Sequence, residues 1–214
     1  MKQRIVLLGP PASGKGTQAE MIHAKFGIET PSVGAILREQ QAAGTVLGRE
    51  AARFTEQGRL VPDEMIVEVA RTWLDAHNGA FVFDGFPRTF GQAEALERLL
   101  NKRQTPLEIA FSLEVNVVTI EKRVCRRLAC AKCGLIVSIG WHIESAASPC
   151  PRCGGALVRR ADDTPETLQR RMIEYCEKSE PLVAFYAGRG LLTRIAADAA
   201  PETVFAEIAS ALTK

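Results

Sequence analysis

The segment running from residue 9 to residue 17, Gly-Pro-Pro-Ala-Ser-Gly-Lys-Gly-Thr, constrains the fold of this chain more than any other. It follows the short apolar run Ile5, Val6, Leu7, Leu8 and opens an amphipathic stretch over residues 15–26. That order reads as strand, tight turn, helix. The spacing Gly-x4-Gly-Lys, from Gly9 to Gly14 and Lys15, suits a backbone that wraps a phosphate. Glycine removes side-chain obstruction, the first N–H groups of the helix point at the anion, and Lys15 adds a charge. The strict pattern places Ser or Thr directly after the Lys; here Gly16 intervenes and Thr17 follows. The alternative is an ordinary glycine-rich turn. By itself the segment indicates phosphate binding without naming a reaction.

The rest of the chain repeats the theme. Apolar runs at 5–8, 80–83, 109–115 and 191–195 alternate with helical patterns at 15–26, 32–42, 45–57, 63–76, 92–103, 117–128, 165–187 and 201–212. Such alternation predicts a doubly wound parallel α/β sheet flanked by helices, and we expect five strands. With 46% hydrophobic residues in 214, the chain can bury a sizeable core. The formal net charge of +2 is too mild for a nucleic-acid arm or a membrane-surface patch. No stretch is long and apolar enough for a membrane span, and the opening apolar run is too short for a signal peptide. The expected location is therefore cytoplasmic.

Residues 84–88, Asp-Gly-Phe-Pro-Arg, fall just past the second apolar run, at the edge of the sheet where doubly wound folds bind ligands. Asp84 there suits the hydration shell of Mg²⁺, and Arg88 can fork onto a phosphate. The competing reading is a tight turn with a surface Arg.

Residues 130–161 change character and become rich in Cys, Gly, Pro and Ser. Cys130-x-x-Cys133 and Cys150-x-x-Cys153 have the spacing of a tetrahedral zinc site; redox pairs or free thiols are the alternatives. A segment this short hardly supports its own core, and a four-thiolate zinc contributes on the order of 10 kcal/mol to such modules. Four Cys leave no position for a catalytic water, so the metal reads as structural. Cys125 and Cys176 fall outside the quartet and read as packing residues.

Taken together, these pieces resemble the adenylate kinase family of nucleoside monophosphate kinases, over essentially the whole chain. Further matching segments are Ser32-x-Gly34-x-x-Leu37-Arg38, Gly58-x-Leu60-Val61-Pro62-Asp63-Glu64, Gln92, and Arg160-x-Asp162-Asp163 followed by Thr167 and Arg171. The resemblance implies a core of residues 1–31, 62–127 and 164–214, a helical monophosphate-binding insert at 32–61 and a zinc-ribbon-like lid at 128–163.

It implies that Ala12, Ser13, Gly14, Lys15, Gly16 and Thr17 hold the ATP phosphates, with Arg123, Arg127 and Ala200 also on ATP. Arg38, Arg88, Arg160 and Arg171 would hold the AMP phosphate or the transferring group. Val33, Arg59, Leu60, Val61, Gly85, Phe86, Pro87 and Gln92 would line the rest of the AMP site. Lys15, Asp84, Arg88, Arg127, Arg160 and Arg171 would be catalytic, with Thr17 and Asp84 near Mg²⁺ through water. Arg123 and Arg127 lie four apart on one helical face, but Lys122 and Arg126 share that spacing. Two positions depart from the family: Val33 stands where Thr is usual, and Ala35 where Asp is usual.

The implied partners are ATP, AMP and ADP, with no nucleic acid or membrane, and the implied state is a monomer. A UMP, CMP or GMP kinase of the same fold is the nearest alternative. A zinc-ribbon nucleic-acid-binding ATPase is a distant one. With no Ser–His–Asp or Cys–His arrangement in sight, the expected chemistry is direct in-line phosphoryl transfer.

Overall fold

The computed structural model describes residues 1–55, 61–159 and 163–214. Its centre is a parallel sheet of β1 (Arg4–Leu8), β2 (Phe81–Asp84), β3 (Ile109–Glu114) and the last strand, Leu192–Ala196, in the order β2, β1, β3, last strand. In register, Val6 lies beside Phe83 on one side and Ala110 on the other. Side chains alternate across a strand, so each apolar run feeds two cores. Ile5, Leu7, Val82, Ile109 and Phe111 join one buried cluster with α1 (Lys15–Phe26) and the C-terminal helix Pro201–Thr213. Val6, Leu8, Phe81, Phe83 and Ala110 join the other, covered by α2 (Val33–Ala42), α3 (Val46–Thr55), α4 (Asp63–Ala76) and α5 (Phe90–Lys102). The sheet is doubly wound, as the alternation predicts.

The expected fifth strand is absent from this sheet among the described residues. Beside β2, residues 29–32 touch it only as two single bridges, Glu29 to Phe81 and Ser32 to Asp84. Val82 N donates to Glu29 O at 2.7 Å and Asp84 N to Pro31 O at 3.3 Å. Pro31 has no N–H to continue a ladder, and Ser32 already caps α2, its Oγ accepting from Ala35 N.

Helices α2 and α3 form a hairpin whose closest approach is at Gly48. A β-carbon there would meet Gln40 O at 2.1 Å. α3 is described as far as Thr55, and positions 56 and 57 of the expected helix lie outside the described residues. Further along, α6 (Val117–Arg126) stops two residues short of expectation because Arg127 begins β4 (Arg127–Cys130). With β5 (Ile136–Ser138) and β6 (Leu157–Val158), β4 makes a small antiparallel sheet in the order β5, β4, β6. Leu128, Val137 and Ile143 are its own small core.

The single helix expected over 165–187 is interrupted. α7 (Pro165–Glu174) passes into a π-helical turn, Tyr175–Ser179, before α8 (Pro181–Ala187). Glu180 N donates to Tyr175 O at 2.8 Å, five residues back. Pro181 cannot donate and its ring crowds the preceding turn, so the helix widens just before it. The final strand, Leu192–Ala196, is β7, and the helix Pro201–Thr213 is α9.

Candidate active site

The phosphate loop leaves β1 at Gly9, whose φ of 144° only glycine adopts easily. A β-carbon there would stand 2.7 Å from Ser13 Oγ and 2.9 Å from Leu113 O. Ala12 at the loop apex sits at φ 59° and Gly14 at φ 101°, so the loop curls back on itself. Gly14 caps α1 without a side-chain acceptor, leaving the first N–H groups of that helix for an incoming anion. Lys15 Nζ donates to Gly9 O at 2.7 Å, Pro10 O at 2.8 Å and Ser13 Oγ at 3.3 Å. Burial pushes its ammonium down to about 7; Asp84 opposes this, while Arg88, Arg171 and Arg127 reinforce it. A site that discourages its own lysine's charge is one prepared for a polyanion.

Asp84 ends β2 directly across from the loop. A β-carbon on Gly16 would stand 3.3 Å from Asp84 Oδ2. The glycine that breaks the strict loop pattern thus keeps open the space in front of this carboxylate. Next to it the chain turns at Gly85, φ 71°, and the Phe86–Pro87 peptide is cis. Arg88 folds over this turn, Nε donating to Gly85 O at 2.8 Å.

A solvent-open cleft of about 580 Å³ joins these pieces. Gly9, Pro11, Lys15, Gly85, Pro87, Arg88 and Arg171 line it, together with Glu174, Tyr175 and Ser179. Sequence reasoning missed the last three. The spacing did not announce them: at intervals of four in ordinary α-helix Arg171, Tyr175 and Ser179 would drift around the axis, and the π-helical turn brings them to one face.

The two arginine registers separate by burial. Arg123 and Arg127 are partly buried, whereas Lys122 and Arg126 are exposed. Arg123 donates to Ser13 O at 3.1 Å and Ala197 O at 2.7 Å, tying α6 to the phosphate loop and to the approach to Ala200. Arg127 grips Asp163 with two prongs, its Nε at 2.8 Å from Oδ2. Arg171 Nη1 lies 4.0 Å from the same carboxylate, whose side chain is 2% exposed. Ala200 caps α9, whose Pro201 O accepts from Gln18 Nε2 at 3.0 Å.

Other expected site residues are not gathered into this cleft. Val33, Val61 and Phe86 are buried in the hydrophobic cluster. Arg38 is exposed and lies back along α2 over Gly34. Gln92 is 2% exposed, its Oε1 accepting from Arg88 N at 2.8 Å and its Nε2 donating to Asp63 Oδ1 at 2.7 Å. Thr17, at the first turn of α1, is partly exposed. Arg59, Leu60 and Arg160, with Gly58 and Asp162, lie outside the described residues.

The small sheet carries the four-cysteine cluster. The Sγ atoms of Cys130, Cys133, Cys150 and Cys153 all lie within 4.8 Å of one another. Cys130 and Cys153 are 3.5 Å apart, Cys133 and Cys150 3.7 Å. Four thiolates bound tetrahedrally at ~2.3 Å would stand ~3.8 Å apart, so the donor set fits a metal ion. The N–H groups of Cys133 and Lys132 reach Cys130 Sγ at 3.5 and 3.4 Å and lower its thiol to about 6, easing the deprotonation a metal requires. Cys125 and Cys176, expected to be packing residues, are exposed instead. From the same small sheet Trp141 reaches the first turn of α9, its Nε1 donating to Glu202 Oε1 at 3.1 Å. Among the described residues no helix is long and apolar enough to cross a membrane.

The chain is similar to known proteins over nearly its whole length. The model of a family described as adenylate kinase matches residues 7–191. An adenylate kinase of Moorella thermoacetica is 41% identical over 212 residues, covering 98% of this chain and 97% of the relative. One from Thermodesulfovibrio yellowstonii is 36% identical over 213 residues, 99% of both chains. One from Archaeoglobus fulgidus is 36% identical, with 98% of each chain covered.

Proposed function

Since the chain belongs to the adenylate kinase family, we propose that it transfers the terminal phosphoryl group of Mg-ATP reversibly to AMP, giving two ADP. The observation that carries this reading is the meeting of Lys15, Arg88 and Arg171 in one cleft beside the Asp84 carboxylate. Two nucleotides bring about six negative charges to the reaction. Phosphoryl transfer asks for alignment and neutralisation of that charge more than for covalent help.

Position supports the following roles. The turn of residues 12–17 and the uncapped start of α1 receive the ATP phosphates. Lys15 leaves the loop carbonyls and turns to the transferring group. Arg88 and Arg171 grip the acceptor phosphate. Arg123, on α6 against the loop, and Arg127, at the start of β4 against Asp163, close the donor side. Mg²⁺ would be held near Thr17 and Asp84 through water, in the space that Gly16 leaves open. It would supply charge neutralisation between the phosphates.

Residues 32–61 act as the cover over AMP and residues 128–163 as the lid over ATP, moving against the remaining core and excluding water from the transfer. The four cysteines hold a structural zinc that fixes the lid's shape. The acting unit is a cytoplasmic monomer. A coupled assay with ATP and each nucleoside monophosphate in turn tests the reading. AMP should be the best acceptor, and a clear preference for UMP, CMP or GMP would overturn it.

A further inference from the structure

We propose that the π-helical turn Tyr175–Ser179 is a positioning element for Arg88, acting through the Ser179 hydroxyl; this rests on the phosphoryl-transfer reading above. Arg88 sits in a stretch with no ladder to hold it, after the end of β2 and before Thr89, the cap of α5. Its backbone is nevertheless held on both sides. Arg88 N donates to Gln92 Oε1 at 2.8 Å, and Arg88 O accepts from Ser179 Oγ at 2.8 Å. The first clamp is anchored further: Gln92 Nε2 and Thr89 Oγ1 both donate to Asp63, at 2.7 and 2.5 Å. The second comes from a segment 91 residues away in sequence.

The turn sets the phase of that second clamp. Four residues of ordinary α-helix rotate by about 400°, so a stripe repeating every four residues drifts by about 40° each time. From Arg171 to Ser179 the drift would double and carry the hydroxyl off the cleft face. A π-helical turn rotates less per residue and cancels the drift, and such turns occur frequently at functional sites. Arg171, Tyr175 and Ser179 all line the cleft as a result. One face of a single helical segment then delivers an arginine to the reaction and a hydroxyl to the backbone of a second arginine.

Steady-state kinetics on Ser179→Ala, Ser179→Thr, Arg88→Ala and the double variant Ser179→Ala/Arg88→Ala test the proposal. Loss of one neutral hydrogen bond that aims a catalytic side chain should lower kcat about five- to tenfold in Ser179→Ala, with KM for ATP unchanged. Ser179→Thr keeps the hydroxyl and should recover most of the rate. In the Arg88→Ala background the Ser179→Ala change should cost nothing more, because the side chain it aims is gone. Equal losses in both backgrounds, or no loss in the parent, would overturn the proposal. Failure of the unsubstituted protein to phosphorylate any monophosphate would overturn the functional reading itself and the proposal with it.

Discussion

Gly16 faces Asp84 across the mouth of the phosphate loop so closely that a β-carbon at position 16 would stand 3.3 Å from Asp84 Oδ2. The contact is tight without being forbidden, and Asp84 ends a strand whose backbone is paired on both sides. A methyl group there would therefore intrude on what lies in front of the carboxylate. Gly16→Ala should fold normally and lose about tenfold in rate at limiting Mg²⁺, with partial recovery as Mg²⁺ is raised. A magnesium titration of the rate checks this. An unchanged half-saturation would show that Asp84 does not work through the metal's waters.

The lysine of the same loop makes a prediction about protons. Lys15 falls from 10.5 in an ordinary setting to about 7 in the free protein, burial being the first cause and the neighbouring arginines adding to it. A nucleotide polyphosphate restores the charge by its own negative field. Between pH 7 and 10, binding should therefore take up protons, approaching about one per site. Calorimetric titration with ADP in buffers of different ionisation enthalpy measures the uptake, and Lys15→Met should abolish it. The linkage has a second face. Over the same range the unfolded chain keeps the lysine protonated while the folded chain releases the proton. Folding stability from this group therefore rises as pH goes from about 7 to 10.5 and is lowest below 7.

The sequence allowed the central sheet to be located because each apolar run serves two cores at once, as Ile5 and Val6 do by facing opposite ways. The phosphate loop was legible for a local reason, since glycine spacing, a preceding strand and a following helix all sit within one short segment. The count of five strands goes beyond the four apolar runs that the sequence offers, and the segment lying beside β2, residues 29–32, contains Pro31, whose missing N–H limits it to isolated bridges. The π-helical turn was hidden because Pro181 disturbs the helix on its N-terminal side, where Tyr175, Cys176 and Glu177 read as ordinary helix. Asp63 was visible only as part of a matching segment. Its role as acceptor for both Thr89 and Gln92 depends on α4 and α5 starting side by side, which no local pattern announces.

A stability prediction comes from the α2–α3 hairpin. At Gly48 a β-carbon would meet Gln40 O at 2.1 Å and Gln41 N at 2.5 Å, all backbone atoms that cannot swing away. Gly48→Ala must push the two helices apart. Overpacking of this kind costs about 1–3 kcal/mol, even though alanine is the better helix former. Thermal unfolding should show a lowered midpoint. A raised midpoint would mean that the hairpin spreads freely and that Gly48 is no packing contact.

The cysteines separate into two populations that a thiol count can resolve. Six are present, and four of them converge within 4.8 Å on the small sheet. Cys125 and Cys176, the remaining two, are exposed. If a zinc ion holds the cluster, its thiolates are bound and slow to react, so the native protein should titrate two thiols rapidly and all six after chelation. Metal release should also free the small sheet, whose own core is little more than Leu128, Val137 and Ile143. Trp141 reports that event directly, because its indole reaches Glu202 from this sheet, whereas Trp73 packs in the main core against Phe81 and Phe83. A red shift in emission on chelation, abolished by Trp141→Phe and retained in Trp73→Phe, is the expected result. Six rapidly reacting thiols in freshly purified protein that also lacks zinc by elemental analysis would rule out the site.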